Sequence, residues 1–219
     1  MLHLKRRLEF LTLRKFKVQK DGTMIENIVF DMGNVLILFE PKRYAEQFAD
    51  APSDQKILCD ELFASYEWVA MDRGTMTEED VIQGAKRRLP PRLHEAAEKL
   101  MAYWPNDMPQ MPGMGALIRD LKAAGYPIYL LSNTSPQYRN FRSCIPGIDR
   151  FDGEFLSFEE KLLKPDPEIF ERFCRTYGLE PGTCFFIDDR PDNIESARRV
   201  GMKGSVFHQD AERLRAVLK

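Results

Sequence analysis

Four short stretches hold residues that could do chemistry, and three of them follow directly on apolar runs. Asn27-Ile28-Val29-Phe30 leads into Asp31-Met32-Gly33-Asn34. Tyr129-Leu130-Leu131 leads into Ser132-Asn133-Thr134, and Phe185-Phe186-Ile187 leads into Asp188-Asp189-Arg190-Pro191-Asp192-Asn193. The fourth, Lys161-Leu162-Leu163-Lys164-Pro165-Asp166-Pro167, places a lysine just ahead of a proline-started helix. A carboxylate at the end of a buried strand can be a nucleophile, a metal ligand or the cap of the next helix. The hydroxyl of Ser132, the amide of Asn133 and the N–H groups of a helix start could hold a phosphate, although an ordinary N-cap at Ser132 or Thr134 is the plainer role. Lys164 on a rigid turn is fit to aim a fixed positive charge at an anion, although most lysines are simply solvated. Asp188 and Asp189 crowd like charges, which costs energy unless a cation sits among them. Helix capping by Asp192 explains one acid but not the adjacent pair; a hard divalent metal explains them better. A lone acid, a Ser-Asn pair, a lysine and an acid pair together describe phosphoryl transfer to a carboxylate.

The elements that must bring these residues together follow from periodicity. Short apolar runs at Ile25–Phe30, Ile128–Leu131, Glu154–Phe158, Cys184–Ile187 and Ser205–Phe207 read as strands. Helical patterns separate the later ones: Met114–Ala124, Pro136–Cys144, Asp166–Tyr177 closed by Gly178, and Ile194–Val200 closed by Gly201. This alternation calls for an α/β fold with a Rossmann-like, doubly wound parallel sheet. One spacing is anomalous. A βαβ unit takes about 30 residues, yet roughly 100 separate the first two buried strands. The surplus reads as helices: Pro41–Ala49, a helix capped by Ser53 and running to Phe63, a mixed stretch Tyr66–Met71, one capped by Thr77 and running to Leu89, and Arg92–Tyr103. The expected organisation is a core over residues 24–40 and 109–219, a small all-helical cap over 41–108, and a basic N-terminal extension over 1–23. A cap inserted after the Asp31 loop would lie over the carboxyl ends of the strands, where such sheets bind ligands, and would keep water out.

Composition narrows the classes. The chain has 219 residues with a formal net charge of -2, which argues against a nucleic-acid or membrane-surface partner. No window approaches the ~20 apolar residues of a bilayer span. Charges break every apolar run in the first 23 residues, against a secretory signal. Cys59, Cys144, Cys174 and Cys184 are scattered without a CxxC pair, as expected of small buried hydrophobes in a reducing cytoplasm.

The four stretches, in this order over about Ile25 to Phe207, resemble the motifs of the haloacid dehalogenase-like (HAD) hydrolase superfamily, with the insertion where its helical-cap class has it. Phe30-Asp31-Met32-Gly33-Asn34-Val35, Leu131-Ser132-Asn133-Thr134 and the stretch from Phe186 to Asn193 look most like bacterial α-D-glucose-1-phosphate phosphatase-like proteins, as does the segment Asp72-Arg73-Gly74 to Asp80. The resemblance implies a phosphatase of small phosphorylated metabolites that uses Mg2+, with sugar phosphates as one substrate class. It makes Asp31 the nucleophile that forms an aspartyl-phosphate. Ser132 and Asn133 would hold the phosphoryl oxygens, and Lys164 would pair with Asp31 and the phosphate. Asp189, Asp31 and the Gly33 carbonyl would ligate magnesium, with Asp188 behind them or as an alternate ligand.

The chain departs from the pattern at Gly33. Most phosphatases of the superfamily have there a second Asp that protonates the leaving alcohol. Glu40 and Asp72 are the candidate replacements, beside plainer roles as a helix-start acid and a turn residue. Two other functions follow from that gap: a non-catalytic phosphometabolite-binding or regulatory protein, and a metal-independent haloacid dehalogenase, which would leave Asp188-Asp189 unexplained. Tyr66, Trp68, Arg73 and Trp104 are placed to line a cavity, but aromatics at helical spacing more often fill a core.

Overall fold

The computed structural model describes residues 24–218; the basic extension expected over residues 1–23 lies outside the described residues. Five strands, β1 Asn27–Phe30, β2 Ile128–Ser132, β3 Gly153–Leu156, β4 Cys184–Asp188 and β5 Lys203–Val206, form one sheet in the order β3-β2-β1-β4-β5. Every pairing is parallel. The central strands are buried along their whole length and mostly apolar because both of their faces are covered. Ile28 and Phe30, Ile128 and Leu130, and Phe185 and Ile187 belong to one buried cluster. The alternate residues Val29, Tyr129, Leu131, Cys184 and Phe186 belong to a second. Under that second face lies the helix Pro167–Tyr177, whose Ile169, Phe170, Phe173 and Cys174 are buried. The Asp166 side chain opens it, and Gly178, at φ 65°, closes it.

Register places the chemistry. Phe30 pairs with Leu130 on one side and Ile187 on the other. The next residue, Asp31, donates its N–H to the Ile187 carbonyl at 2.8 Å. Asp31 is therefore level with Leu131 and Asp188, at the ends of three neighbouring strands. From β1 the chain builds β2 and β3 on one side, then returns to lay β4 and β5 on the other. The reversal falls between β1 and β4, beside Asp31.

Between β1 and β2 come the helices Pro41–Ala45, Pro52–Leu62, Tyr66–Asp72, Glu78–Arg88 and His94–Tyr103. The two segments that join this insertion to the sheet run against each other: Leu38 N–H donates to Pro109 O at 2.8 Å, and Met111 N–H to Leu36 O at 2.9 Å. Thr77 and Asp80 open Glu78–Arg88 with a reciprocal capping box, and three acids follow in its first turn.

Several boundaries differ from the sequence expectation for local reasons. Pro52 occupies the first turn of the second helix and has no N–H to satisfy, so the helix starts ahead of Ser53. Ser65 Oγ accepts from Trp68 N–H at 3.1 Å and turns the mixed stretch into the helix Tyr66–Asp72. The first inserted helix stops at Ala45. Beyond Pro136 only Tyr138–Phe141 is α-helical, followed by a 3-10 turn at Arg142–Cys144. β3 stops at Leu156, where Ser157–Glu160 makes a helical turn. A terminal helix, Ala211–Val217, opened by the Asp210 side chain, had no counterpart in the expectation. Among the described residues no helix is long and apolar enough to cross a membrane.

Candidate active site

Lys164 is the hub of the strand ends. Its ammonium lies 2.7 Å from Asp31 Oδ1 and 2.7 Å from Asp188 Oδ2, and its side chain is 1% exposed. A further N–H donates to the Leu131 carbonyl at 3.0 Å, and the Phe186 ring lies 5.2 Å away. One side chain thus ties β2, β1 and β4 together, using all three of its donors. Burial by itself disfavours the charge on Lys164. The charges of Asp188 and Asp31 outweigh that and hold its pKa above the ordinary lysine value. Asn133 fixes the loop that carries it: Nδ2 donates to the Lys164 carbonyl and Oδ1 accepts from the Lys164 N–H, both at 2.9 Å.

The two adjacent acids have different environments. Asp188 is fully buried and saturated, accepting from Lys164 at 2.7 Å, from Asn193 Nδ2 at 3.0 Å and from the Arg190 N–H at 2.8 Å. Asp189 is half-buried, and its side-chain partner is Asn34, whose Nδ2 donates at 3.5 Å. Burial, and then the charge of Asp188, push its carboxyl above the usual range, with Asn34 opposing. Asp31 behaves likewise: burial raises its pKa, Lys164 pulls against it, and Asp188 adds to the rise.

One carboxylate oxygen from each of Asp31, Asp188 and Asp189 lies within 4.8 Å of the others. Three acids thus face one ammonium. Arg190 adds little, because its guanidinium is bound to Asp192 at 2.6 Å. Asn193 Oδ1 is also buried beside the cluster without a partner. Two acids, Asp31 and Asp189, raised above their normal range beside an orphaned amide oxygen fit a site for a hard divalent cation. The donor set, all oxygen, fits magnesium.

Above this floor opens a cavity of about 630 Å³. Asp31, Gly33, Asn34, Asn133, Lys164 and Asp189 lie on its floor, and the inserted helices contribute Phe63, Trp68, Val69, Asp72, Arg73 and Trp104. Ser132, by contrast, is buried at the end of β2, and its hydroxyl donates to the Asn133 carbonyl at 3.3 Å. Glu40 is exposed, pairs with Arg43 at 2.9 Å and lies outside the cavity lining.

Asp72 is held over the floor by a latch between the insertion and the core. Ser157 Oγ donates to the Asp72 carbonyl at 2.6 Å while accepting from the Thr134 N–H at 2.8 Å. Lys161 Nζ donates to the Gly74 carbonyl at 2.6 Å. Gly74 sits at φ 73°, and a Cβ there would lie 2.3 Å from the Phe158 carbonyl oxygen, so only glycine allows the approach. Burial pushes the Asp72 carboxyl up to about 7, a hydrogen bond from the Trp68 side chain opposing. Gly33 is different: a Cβ there would meet nothing closer than Phe39 Cβ at 4.0 Å, so the missing second acid is not excluded by space.

Sequence reasoning passed over Asn34 and Asn193. Asn34 occupies the left-handed region at φ 54°, accepts the Phe39 N–H at 3.2 Å and reaches Asp189. The Gly33-Asn34 pair after a strand was its signal, since Asn tolerates that conformation. Asn193 was visible as an amide near an acid pair, but only the fold shows it buried against Asp188.

Residues 25–201 match the model of the haloacid dehalogenase-like hydrolase family, and the chain belongs to that family. It is 28% identical over 187 residues to a sesquiterpene phosphatase of Aspergillus oryzae, covering 83% of this chain and 89% of that protein. It is 25% identical over 185 residues to flavin mononucleotide hydrolase 1 of Arabidopsis thaliana, covering 82% and 71%. A family enzyme of Bacteroides thetaiotaomicron, crystallised with magnesium and inorganic phosphate, superposes with a TM-score of 0.66 at 24% identity, covering 87% of this chain and 98% of that one. The family makes the chain a hydrolase, and several of the relatives it resembles are phosphatases.

Proposed function

We propose that the protein hydrolyses phosphate monoesters of small metabolites through an aspartyl-phosphate on Asp31, with magnesium held by Asp31, Asp189 and the Gly33 carbonyl. The observation that carries this reading is the Lys164 ammonium wedged at 2.7 Å between Asp31 and Asp188 on the floor of the cavity. Bound there, magnesium would neutralise charge on the phosphoryl group and on the acids around it. Lys164 favours the ionised form of Asp31 against the effect of burial and orients it. Asp31 attacks phosphorus, and the bond from phosphorus to the alcohol oxygen breaks. Asp72, with a carboxyl at about 7, gives its proton to that oxygen and then takes one from the water that cleaves the Asp31–phosphorus bond. Inorganic phosphate and the alcohol leave, and Asp31 returns to its carboxylate form. Asn133 both braces Lys164 and has an N–H left for a phosphoryl oxygen, while Ser132 braces the strand end. Residues 41–108 act as the cap. A cytoplasmic setting and a substrate among small phosphorylated metabolites belong to the same proposal.

The neighbour crystallised with magnesium and phosphate supports the metal. The phosphatases among the relatives support the reaction, though their alcohols differ from one another, so the motifs speak for the phosphate side and leave the other side to the cap. Phosphate release from an aryl phosphate in the presence of magnesium tests the reading. Loss of release on chelation and in Asp31→Asn is expected; equal release by that variant would remove Asp31 as nucleophile.

A further inference from the structure

The cavity is built of two unlike halves. Its floor carries the charges and amides, all at strand ends. Its upper part is aromatic: Phe63, Trp68 and Trp104 from the inserted helices, Phe39 from the connection after β1 and Phe141 from the core all line it. Their rings form one continuous cluster, Phe63 to Trp68 at 4.8 Å, Trp68 to Trp104 at 5.2 Å, Trp104 to Phe141 at 5.6 Å, and Phe39 within 6 Å of Phe63, Trp68 and Trp104. Phe39 and Phe63 are only partly buried, so these are walls of a space as well as parts of a core. The apolar surface also continues outward. On the helix Tyr66–Asp72, Val69 lines the cavity yet is 48% exposed, and Tyr66, one turn away on the same face, is 74% exposed. The polar groups that the insertion brings to the lining are Asp72, its neighbour Arg73 and two indole N–H groups, that of Trp68 bonded to Asp72 and that of Trp104 buried without a partner among the described residues.

A sugar phosphate would put several hydroxyls against these walls. Each buried there without a partner loses its hydrogen bonds to water. An apolar alcohol would instead gain by leaving water, and flat or branched hydrocarbon packs well on aromatic rings. The volume, about 630 Å³, leaves room for a body well beyond the phosphate itself.

We infer that the substrates are phosphate monoesters of bulky apolar alcohols, their hydrocarbon body packed in the Phe39–Phe63–Trp68–Trp104–Phe141 box while the phosphate rests on the strand ends. This rests on the phosphatase reading of the same site and names the alcohol. Asp72 lines the same cavity and in this reading serves the ester oxygen that joins hydrocarbon to phosphate.

The test uses n-alkyl monophosphates of increasing length, 1-naphthyl phosphate and glucose 6-phosphate. Each is measured twice: for turnover by the wild type with magnesium, and for binding to Asp31→Asn by calorimetry. The expected result is a gain of about fourfold in kcat/KM and in affinity per added methylene until the box is full. The longer alkyl esters and naphthyl phosphate are expected to exceed glucose 6-phosphate by at least about 100-fold. Val69→Asp, at a partly exposed wall position, should flatten the chain-length dependence, and inhibition by inorganic phosphate reports that the variant is folded. A flat series, or glucose 6-phosphate handled as well as octyl phosphate, overturns the inference and leaves the phosphatase standing. Chain-length-dependent binding without phosphate release from any ester upholds the apolar site and overturns the phosphatase. Neither binding nor release overturns both.

Discussion

The floor and the roof of the cavity solve opposite problems. On the floor, charges are buried, and the structure survives because nearly every one is paired: Lys164 reaches two acids and a carbonyl, and Asp188 accepts from three groups. On the roof, almost nothing is charged, and the walls are rings. The floor is rigid through hydrogen bonds that specify positions to fractions of an ångström; the roof is shaped by packing, which specifies volume. Such a division lets a fixed phosphate chemistry be combined with an alcohol-reading surface carried on a separate stretch of chain. Where the halves meet, the Ser157–Asp72 and Lys161–Gly74 contacts hold them in register.

The contrast can be broken most completely at the floor. Asp31→Asn should lower kcat by at least about 10³-fold, since a covalent route without its nucleophile retains only what positioning provides, read as phosphate release under saturating substrate. Asp188→Ala should be the most damaging substitution for the fold itself. It leaves the Lys164 ammonium half-paired and Asn193 without its acceptor, at a cost of about 3–5 kcal/mol in denaturant unfolding. Asp189→Asn, one residue along, removes an acid held above its normal range and should leave stability unchanged or raised while abolishing the response to magnesium.

The junction is tested next. Asp72→Asn should reduce turnover of alkyl phosphates by about 10²–10⁴-fold and of nitrophenyl phosphate far less, because a good leaving group needs no proton. Gly33→Asp, which has room for its Cβ, should restore part of the alkyl activity in the Asp72→Asn background. Asp72 also has a pH signature. Its folded pKa, about 7, is raised above the unfolded value. Between those values the native state holds a proton that the unfolded chain has lost, so stability falls as pH rises through roughly 4 to 7. Relative to Asp72→Asn, the wild type should lose stability across that window, followed as Tm against pH. The smallest expected effect is Gly74→Ala, costing about 1–3 kcal/mol from the left-handed backbone and the Phe158 carbonyl, with a fall in alkyl phosphate turnover as Asp72 shifts.

Local sequence was informative where one residue type had one physical reason. Apolar runs that end in Asp31, Ser132 and Asp188 announced buried parallel strands, because only strands covered on both faces read that way. The long gap between the first two strands announced the helical insertion before any contact was known. Boundaries failed where a neighbouring residue set the helix start, as Pro52 did from the first turn ahead of Ser53 and as Ser65 did by capping Tyr66–Asp72.

By itself, then, the chain determined the parallel sheet, the placing of acids and a lysine at strand ends, and an insertion between β1 and β2, since these depend on residues within a few positions of one another. The division of labour between Asp188 and Asp189 was decided only in three dimensions, by which carboxylate Lys164 and Asn193 could reach. So was the placing of Asp72 on the cavity lining and of Glu40 outside it, with a Ser157–Asp72 contact between residues 85 apart in sequence. The aromatic box is of the same kind: Phe39, Phe63, Trp68, Trp104 and Phe141 show no common period, and only the folding of the insertion onto the sheet turns them into one wall.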